Sequence, residues 1–306
     1  MVEFDLRRLR FLRELQERGT LGAVAAALGY SPSAVSQQLA VLEREAGARL
    51  FERAGRGVRL TDAGALLAGH ARVLLATAEA ASADLAALHD EVRGTVRVGG
   101  LQSAARRLLV PAVARMLAEH PRVRVEVREL ELEQALPELR LGAVDLIVSD
   151  EYDGHPRPRP DGLVFEVVFR EPLRLVLPAA HPLAEDGGPV PIAGLRAAVW
   201  AASSEGTGHH AMVVGTCRAL GGYEPDLRHL AYDAEVQLEL VRSTGAVALL
   251  PCLSLPGADP ALAVRDVAEA RVGRRLVVVT RQGPQAPALA AFRAAVRERA
   301  AALTPS

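Results

Sequence analysis

Residues 31–47 read SPSAVSQQLAVLEREAG. Drawn as a helix, the stretch places Val35, Leu39, Leu42 and Ala46 on one apolar stripe at i, i+4, i+7 and i+11. Ser31 and Pro32 form its start, an N-cap followed by proline at the first helical position. The opposite face carries Ser33, Ser36, Gln37 and Ala40, all short or uncharged. An exposed helix usually bears long charged side chains, as Glu43, Arg44 and Glu45 do further along. Short, uncharged, hydrogen-bonding side chains over its first two turns raise the question of what they meet.

The flanking sequence says what. Asp5 can cap a first helix whose Leu9, Phe11, Leu12 and Leu15 face inward up to Gly19. Thr20 can cap a second, LGAVAAAL, ending at Gly29, and its alanines permit close helix approach. Two short helices joined by the tight turn at Tyr30 make a helix-turn-helix. In that motif the second helix enters the DNA major groove and its N-terminal residues reach base edges. Serine and glutamine suit this task, being short enough for close approach and able to donate and accept. A plain solvated helix face is the competing reading of the same residues.

Downstream, ARLFERAGRGVRLTDAG reads as a β-hairpin, a wing, with Arg53, Arg56 and Arg59 separated by no acid. Such arginines can meet phosphates or enter the minor groove. Residues 1–66 hold ten arginines against eight acids, so the positive charge is local to the wing. In order, T-L-G-A-V-A-A-A-L, S-P-S-A-V-S-Q-Q-L-A-V-L-E, R-L-F-E-R and R-L-T-D-A-G strongly resemble the N-terminal domain of LysR-type transcriptional regulators. By position, the resemblance implies that Ser31, Pro32, Ser33, Ser36 and Gln37 face the bases. Thr20 and Arg53 would hold the backbone, with Arg56 and Arg59 beside them. Members of the family often carry arginine where this chain has Gln37, which implies a different base preference.

Thr61 can cap a further helix starting at Asp62. Leu67, Ala71, Leu74, Ala78, Ala81, Leu85 and Leu88 form a heptad seam along it. A helix of about 28 residues is roughly 40 Å long. The resemblance makes it a dimerising linker; packing on its own domain is the blander alternative.

From Gly94 the pattern turns to α/β. TVRVGG, VRVEVREL and AVDLIVSD read as strands alternating with helices, which implies a parallel sheet with ligands at the strands' C-terminal ends. GHPRPRPDG separates a second unit containing LRLVLP, AAVWAASSEGTG, a helix from about His209 to Leu220, AEVQLELVRSTG and AVALLP. RRLVVVT and the last helix read as returning to the first unit. The expected fold class is therefore α/β with an N-terminal all-α winged helix-turn-helix. By resemblance, the effector domain consists of two Rossmann-like subdomains around a cleft, similar to periplasmic binding proteins. Expected limits are 1–60 for the DNA-binding domain, 61–90 for the linker helix and 91–306 for the effector domain. Subdomain I would take in about 93–163 and 268–302, subdomain II about 164–267, with crossings near 163–172 and 262–276.

The family places a small-molecule effector between the subdomains. By position that implicates Gln102, Ser103, Leu130, Ser149 and Asp150 on one side and Ser203, Ser204 and Thr244 on the other. Each residue type is also at home in an ordinary cap or loop. Asp150 and Glu151 would make the cleft less hospitable to acids, while Arg106 and Arg107 could restore a positive field, and both readings stay open. G-T-G-H-H-A at 206–211 superficially matches a dinucleotide fingerprint, but a lone match is weak and the loop reads better as a ligand wall. His209 and His210 read as solvated helix-start residues.

Bulk properties exclude several classes. The 306 residues carry a net charge of −1, so a polyanion partner must be met locally. All basic residues are arginine. Cys217 and Cys252 stand outside any metal-ligand cluster and read as buried free thiols. The charged opening MVEFDLRRLR lacks a signal-peptide core and no apolar run suits a membrane span, so a cytoplasmic protein is expected. There is no G-x-S-x-G, Walker loop or H-E-x-x-H, hence no enzyme and no cofactor is expected. The expected partners are a near-palindromic double-stranded DNA site, an effector and further copies of the chain as homodimer or homotetramer, with RNA polymerase a candidate. Two alternatives remain: a small-molecule binding protein or enzyme with a vestigial DNA head, and an architectural DNA-bending protein.

Overall fold

A computed structural model describes residues 3–54, 57–87 and 92–303. It separates into two compact units, one formed chiefly by residues up to Val92 and one formed by most of the rest. In the first, helices α1 (Leu6–Arg18), α2 (Leu21–Leu28) and α3 (Pro32–Ala46) begin where their caps require. Asp5 accepts from the Arg7 N–H at 2.7 Å, Thr20 from Ala23 at 3.2 Å and Ser31 from Ala34 at 3.2 Å. Gly19 and Gly29 end the first two helices at φ 70° and 71°, the left-handed region that a side chain would disfavour. Val35, Leu39 and Leu42 are buried against Leu9, Phe11, Leu12 and Leu15. Removing one such leucine side chain costs about 2–5 kcal/mol, so this stripe fixes the attitude of α3.

Strands β1 (Phe51–Ala54) and β2 (Gly57–Leu60) pair antiparallel as the wing. Helix α4 (Asp62–Ala87) follows. Thr61 caps it, accepting from the Gly64 N–H at 3.1 Å while donating to the Arg49 carbonyl at 2.7 Å. Of the expected seam, Leu67 and Ala71 pack into the α1–α3 core, whereas Leu74 and Leu85 are exposed. Leu88 lies outside the described residues.

The second unit is built on one long mixed sheet. Strands β3 (Gly94–Gly100), β4 (Val123–Glu129) and β5 (Leu146–Tyr152) are parallel, as the sequence suggests. The expectation of a purely parallel sheet fails beside them. β11 (Gly273–Arg281) runs antiparallel between β5 and the 16-residue β6 (Leu163–Pro178). β6 is shared: after Pro172 it leaves β11 and pairs with β9 (Val247–Pro251) and β10 (Leu262–Arg265). β9 then continues in parallel to β7 (Val199–Ala202) and β8 (Asp226–Leu230). Two lobes thus hang on the crossing strands. The first carries α5 (Gln102–Ala104), a π-helical turn, α6 (Val110–Glu119) and α7 (Leu132–Arg140). The second carries α8 (Gly208–Thr216), which runs into a π-helical turn at Cys217–Gly221, and α9 (Ala234–Thr244).

The core of the second lobe is centred on fully buried Trp200, with Leu175, Leu177, Met212, Val213 and Leu249 around it. Helix α10 (Pro287–Ala301) docks Arg293 and Arg297 on Glu166 of β6, so the chain's last helix does return to the first lobe. Cys217 is buried and Cys252 half-buried, both as free thiols.

Candidate functional site

The exposed face of α3 presents Ser33, Gln37 and Ala40 to solvent, with Ser36 half-buried beside them. Ser31 and Ser33 hydroxyls lie 2.9 Å apart and can share one hydrogen bond while offering a second group outward. Pro32 occupies the first helical position and Thr20 the start of α2, both exposed. One wing expectation changes. Arg59 faces Glu52 directly across the hairpin and is ion-paired to it, so an acid does sit within the basic patch. Arg56 and the side chain of Arg53 lie outside the described residues.

A second site lies between the two lobes of the α/β unit. Its cavity of about 50 Å³ is lined from the C-terminal ends of parallel strands, as the sheet rule anticipates. Gln102 and Ser103 follow β3, Asp150 and Tyr152 end β5, and Ser203 follows β7. Gln102 reaches across: its Nε2 donates to Asp233 Oδ1 at 2.6 Å and its Oε1 accepts from the Ala234 N–H at 3.4 Å, so it ties β3 to the start of α9. Thr207 caps α8, accepting from the His210 N–H at 3.2 Å.

Arg274 occupies the floor. Its guanidinium donates to Asp150 at 3.1 Å, to Glu171 at 2.8 Å and to the Ser103 hydroxyl at 2.8 Å. Burial alone would lower its pKa, but the Glu171 carboxylate, with Tyr152 and Asp150, more than offsets this and holds the charge in place. Arg157 pairs with Glu133 and, at 3.7 Å, with Asp150. Glu131 lines the same cavity, and no described residue donates a hydrogen bond to its carboxylate. Burial, then repulsion from Asp150 and Glu133, pushes its pKa up to about 7.

Several sequence expectations land elsewhere. Along β5 alternate residues face opposite ways, so Asp150 lines the cavity while Ser149 does not. Leu130 packs toward Ala135 and Val144 in the core, and its neighbour Glu131 takes the lining position. Ser204 gives its carbonyl to the Thr207 hydroxyl at 2.8 Å and does not line the cavity. Thr244, exposed at the end of α9, spends its hydroxyl on the Leu240 carbonyl at 2.6 Å. Glu151 is buried and met by Arg159 and Arg275 at 3.1 and 3.2 Å, so it adds no free charge to the cleft. Arg106 donates to the Leu253 carbonyl at 3.2 Å and Arg107 lies on the exposed side of its helix; the guanidiniums that line the cavity are Arg274 and Arg157.

His209 is no solvated helix start. It is buried, accepts from the Ser203 N–H at Nδ1 (3.1 Å) and meets the Leu249 carbonyl with Nε2 (2.9 Å). Those contacts select the neutral Nε2–H tautomer, and burial lowers its pKa. Arg274 and Glu171 escaped sequence reasoning because each is defined by partners far away in the chain, and the burial of His209 rests on Leu249, forty residues on. The one available signal was the pair of arginines in GHPRPRPDG, which reads as a linker but reaches back to Glu133 and Glu151. No group of His, Cys, Asp and Glu among the described residues could hold a metal ion, and no described helix is long and apolar enough to cross a membrane.

Comparison with known proteins bears on the family and the fold. Residues 6–65 match the bacterial regulatory helix-turn-helix protein model of the lysR family, and residues 89–301 match the LysR substrate binding domain. The chain is 34% identical to the regulator GalR of Pseudomonas putida over 59% of its own length and 45% of GalR, so it spans about half of that relative. It is 27% identical to the transcriptional dual regulator GltC of Bacillus subtilis over 85% of each chain. Full-length OxyR from Pseudomonas aeruginosa has the same fold, with a TM-score of 0.70 at 19% identity, covering 99% of this chain and 96% of that one. These matched families are regulatory and not catalytic. With the helix-turn-helix and substrate-binding models both matched in that order, the chain belongs to the LysR family of bacterial regulatory helix-turn-helix proteins.

Proposed function

We propose that this protein is a ligand-responsive transcriptional regulator that acts in the cytoplasm on double-stranded DNA. Residues 1–60 serve as the reading head and 61–90 as a linker helix that pairs two copies, or four, on a near-palindromic site. Ser33, Ser36 and Gln37 read base edges while Thr20, Arg53, Arg56 and Arg59 meet phosphates. A small-molecule effector enters the cleft, touching Gln102, Ser103, Asp150 and Ser203. By changing how far the lobes close it alters the affinity or geometry of the paired heads, and through them the access of RNA polymerase.

The observation that carries this reading is the cavity lined from both lobes of the α/β unit, in a chain whose α3 exposes short, polar turns. The test is fluorescence anisotropy on DNA immediately upstream of the gene, with wild type and Gln37→Ala across salt concentrations. The reading requires wild type to prefer that fragment over a scrambled one. Gln37→Ala should lose the preference, worth about 1–3 kcal/mol per base pair read, while keeping its salt slope. Equal weak binding by both proteins to both fragments would remove the DNA-reading role.

A further inference from the structure

The guanidiniums that line the cleft are already engaged. Arg157 and Arg274 share the lining with Glu131 and Asp150, and each is also held by a carboxylate outside it, Glu133 or Glu171. Both arginines are already divided between two carboxylates each, which leaves neither free to bind an anionic ligand without surrendering a partner. Glu131 has the opposite problem: it lines the cavity and its carboxylate accepts no hydrogen bond from the described residues.

A separate observation points the same way. Gln237, only 1% exposed, lines this cavity from α9. Its Nε2 donates to the Ala231 carbonyl at 2.7 Å, which fixes the orientation of the amide. Its Oε1 is then a buried acceptor without a donor among the described residues. A buried acceptor left unpaired is costly, so the site lacks a donor, not an acceptor. An inorganic cation does not answer the need, because no described group of acidic, His or Cys side chains is arranged to hold a metal. The cavity of about 50 Å³ has room for a small polar head group.

We propose that the effector carries a protonated nitrogen, as a small organic ammonium, amidinium or guanidinium compound, received by the Glu131 carboxylate and Gln237 Oε1. This rests on the cleft being the effector site. The N–H donors satisfy Gln237 while the positive charge relieves the repulsion among Glu131, Glu133 and Asp150. Recognition through Glu131 needs its ionised form, so affinity for the cation rises with pH through about 7 and levels above it.

The experiment is calorimetric titration of the full chain at pH 6 and pH 8 with putrescine, agmatine and lysine methyl ester, set against succinate and benzoate. The proposal expects at least one cation to bind more tightly at pH 8, and Glu131→Gln to weaken it tenfold or more. Binding of the carboxylates alone, unchanged or tighter in Glu131→Gln, would overturn the cationic class while leaving the cleft as effector site. If no compound binds and none alters affinity for the upstream DNA, the cation proposal falls and the effector reading loses its support with it. A cation that binds equally well to Glu131→Gln and at both pH values overturns the role of Glu131.

Discussion

Arg274 and Glu171 are direct cross-strand partners where β11 and β6 leave the first lobe, with guanidinium and carboxylate 2.7 Å apart and both side chains buried. Glu171 also accepts from the Leu253 N–H at 2.6 Å, so the pair binds the crossing strands to the end of β9. Replacing Arg274 with methionine strands the buried Glu171 carboxylate and leaves Asp150 with Arg157, at 3.7 Å, as its counter-charge. A loss of about 3–5 kcal/mol in urea denaturation is expected. The double change Arg274→Met with Glu171→Gln should recover part of it, since an amide tolerates the loss of the counter-charge. Equal losses in single and double variants would show that the arginine acts by packing alone.

His209 gives the chain an acid-sensitive contribution. Its folded pKa lies below the ordinary value near 6.5, so between these two values the unfolded state binds more protons. Stability from this residue is therefore complete above about pH 6.5 and is lost as pH falls below it, at a limit of about 1.4 kcal/mol per pH unit. His209→Gln should flatten the rise in stability between pH 5 and 6.5 measured by urea midpoints. The difference between the two proteins isolates His209, because Glu131 titrates in both. Parallel pH profiles would contradict the buried neutral imidazole.

Gly64 lies where α4 starts against the chain entering the wing. A Cβ there would stand 1.8 Å from the Leu50 carbonyl oxygen, which also accepts from the Thr61 N–H at 3.0 Å. Alanine would gain about 1 kcal/mol in helix propensity, yet the clash with backbone should cost more, leaving a net loss of about 2 kcal/mol or greater. Thermal unfolding of Gly64→Ala followed by circular dichroism checks this; an unchanged midpoint would mean the Leu50 segment shifts freely.

Glu52 holds back a wing arginine. In Glu52→Gln, Arg59 is released toward phosphate, and DNA affinity should rise several-fold at low salt with a salt slope steeper by about one unit. At high salt the two proteins should converge. Anisotropy titrations at several ionic strengths decide it, and an unaltered slope would place Arg59 away from the backbone.

The legibility of the chain follows from how local each determinant is. Caps at Asp5, Thr20 and Ser31 and the stripe Val35, Leu39 and Leu42 are decided within a few residues, so the head could be read from sequence. In the cleft, Gln102, Ser103, Asp150 and Ser203 sit just beyond or at the ends of strands, where the resemblance to the family directs attention. Glu131 in place of Leu130 turns on which way one residue faces at a strand end. Thr244 satisfies its hydroxyl within its own helix, and Arg274 takes its meaning from Glu171, more than one hundred residues earlier, through an antiparallel pairing that no local pattern announces.

The strand β6 runs unbroken through both lobes and carries a bulge opposite the Leu276–Val277 step, just before the crossing. Bulges sharpen local twist. A hydrogen-bonded two-ply strip resists stretching and sideways slip but yields to torsion, so the lobes have essentially one coordinate along which to move. On the proposed reading, effectors of different bulk would halt the same rotation at different angles, and the DNA heads would register how far it has turned.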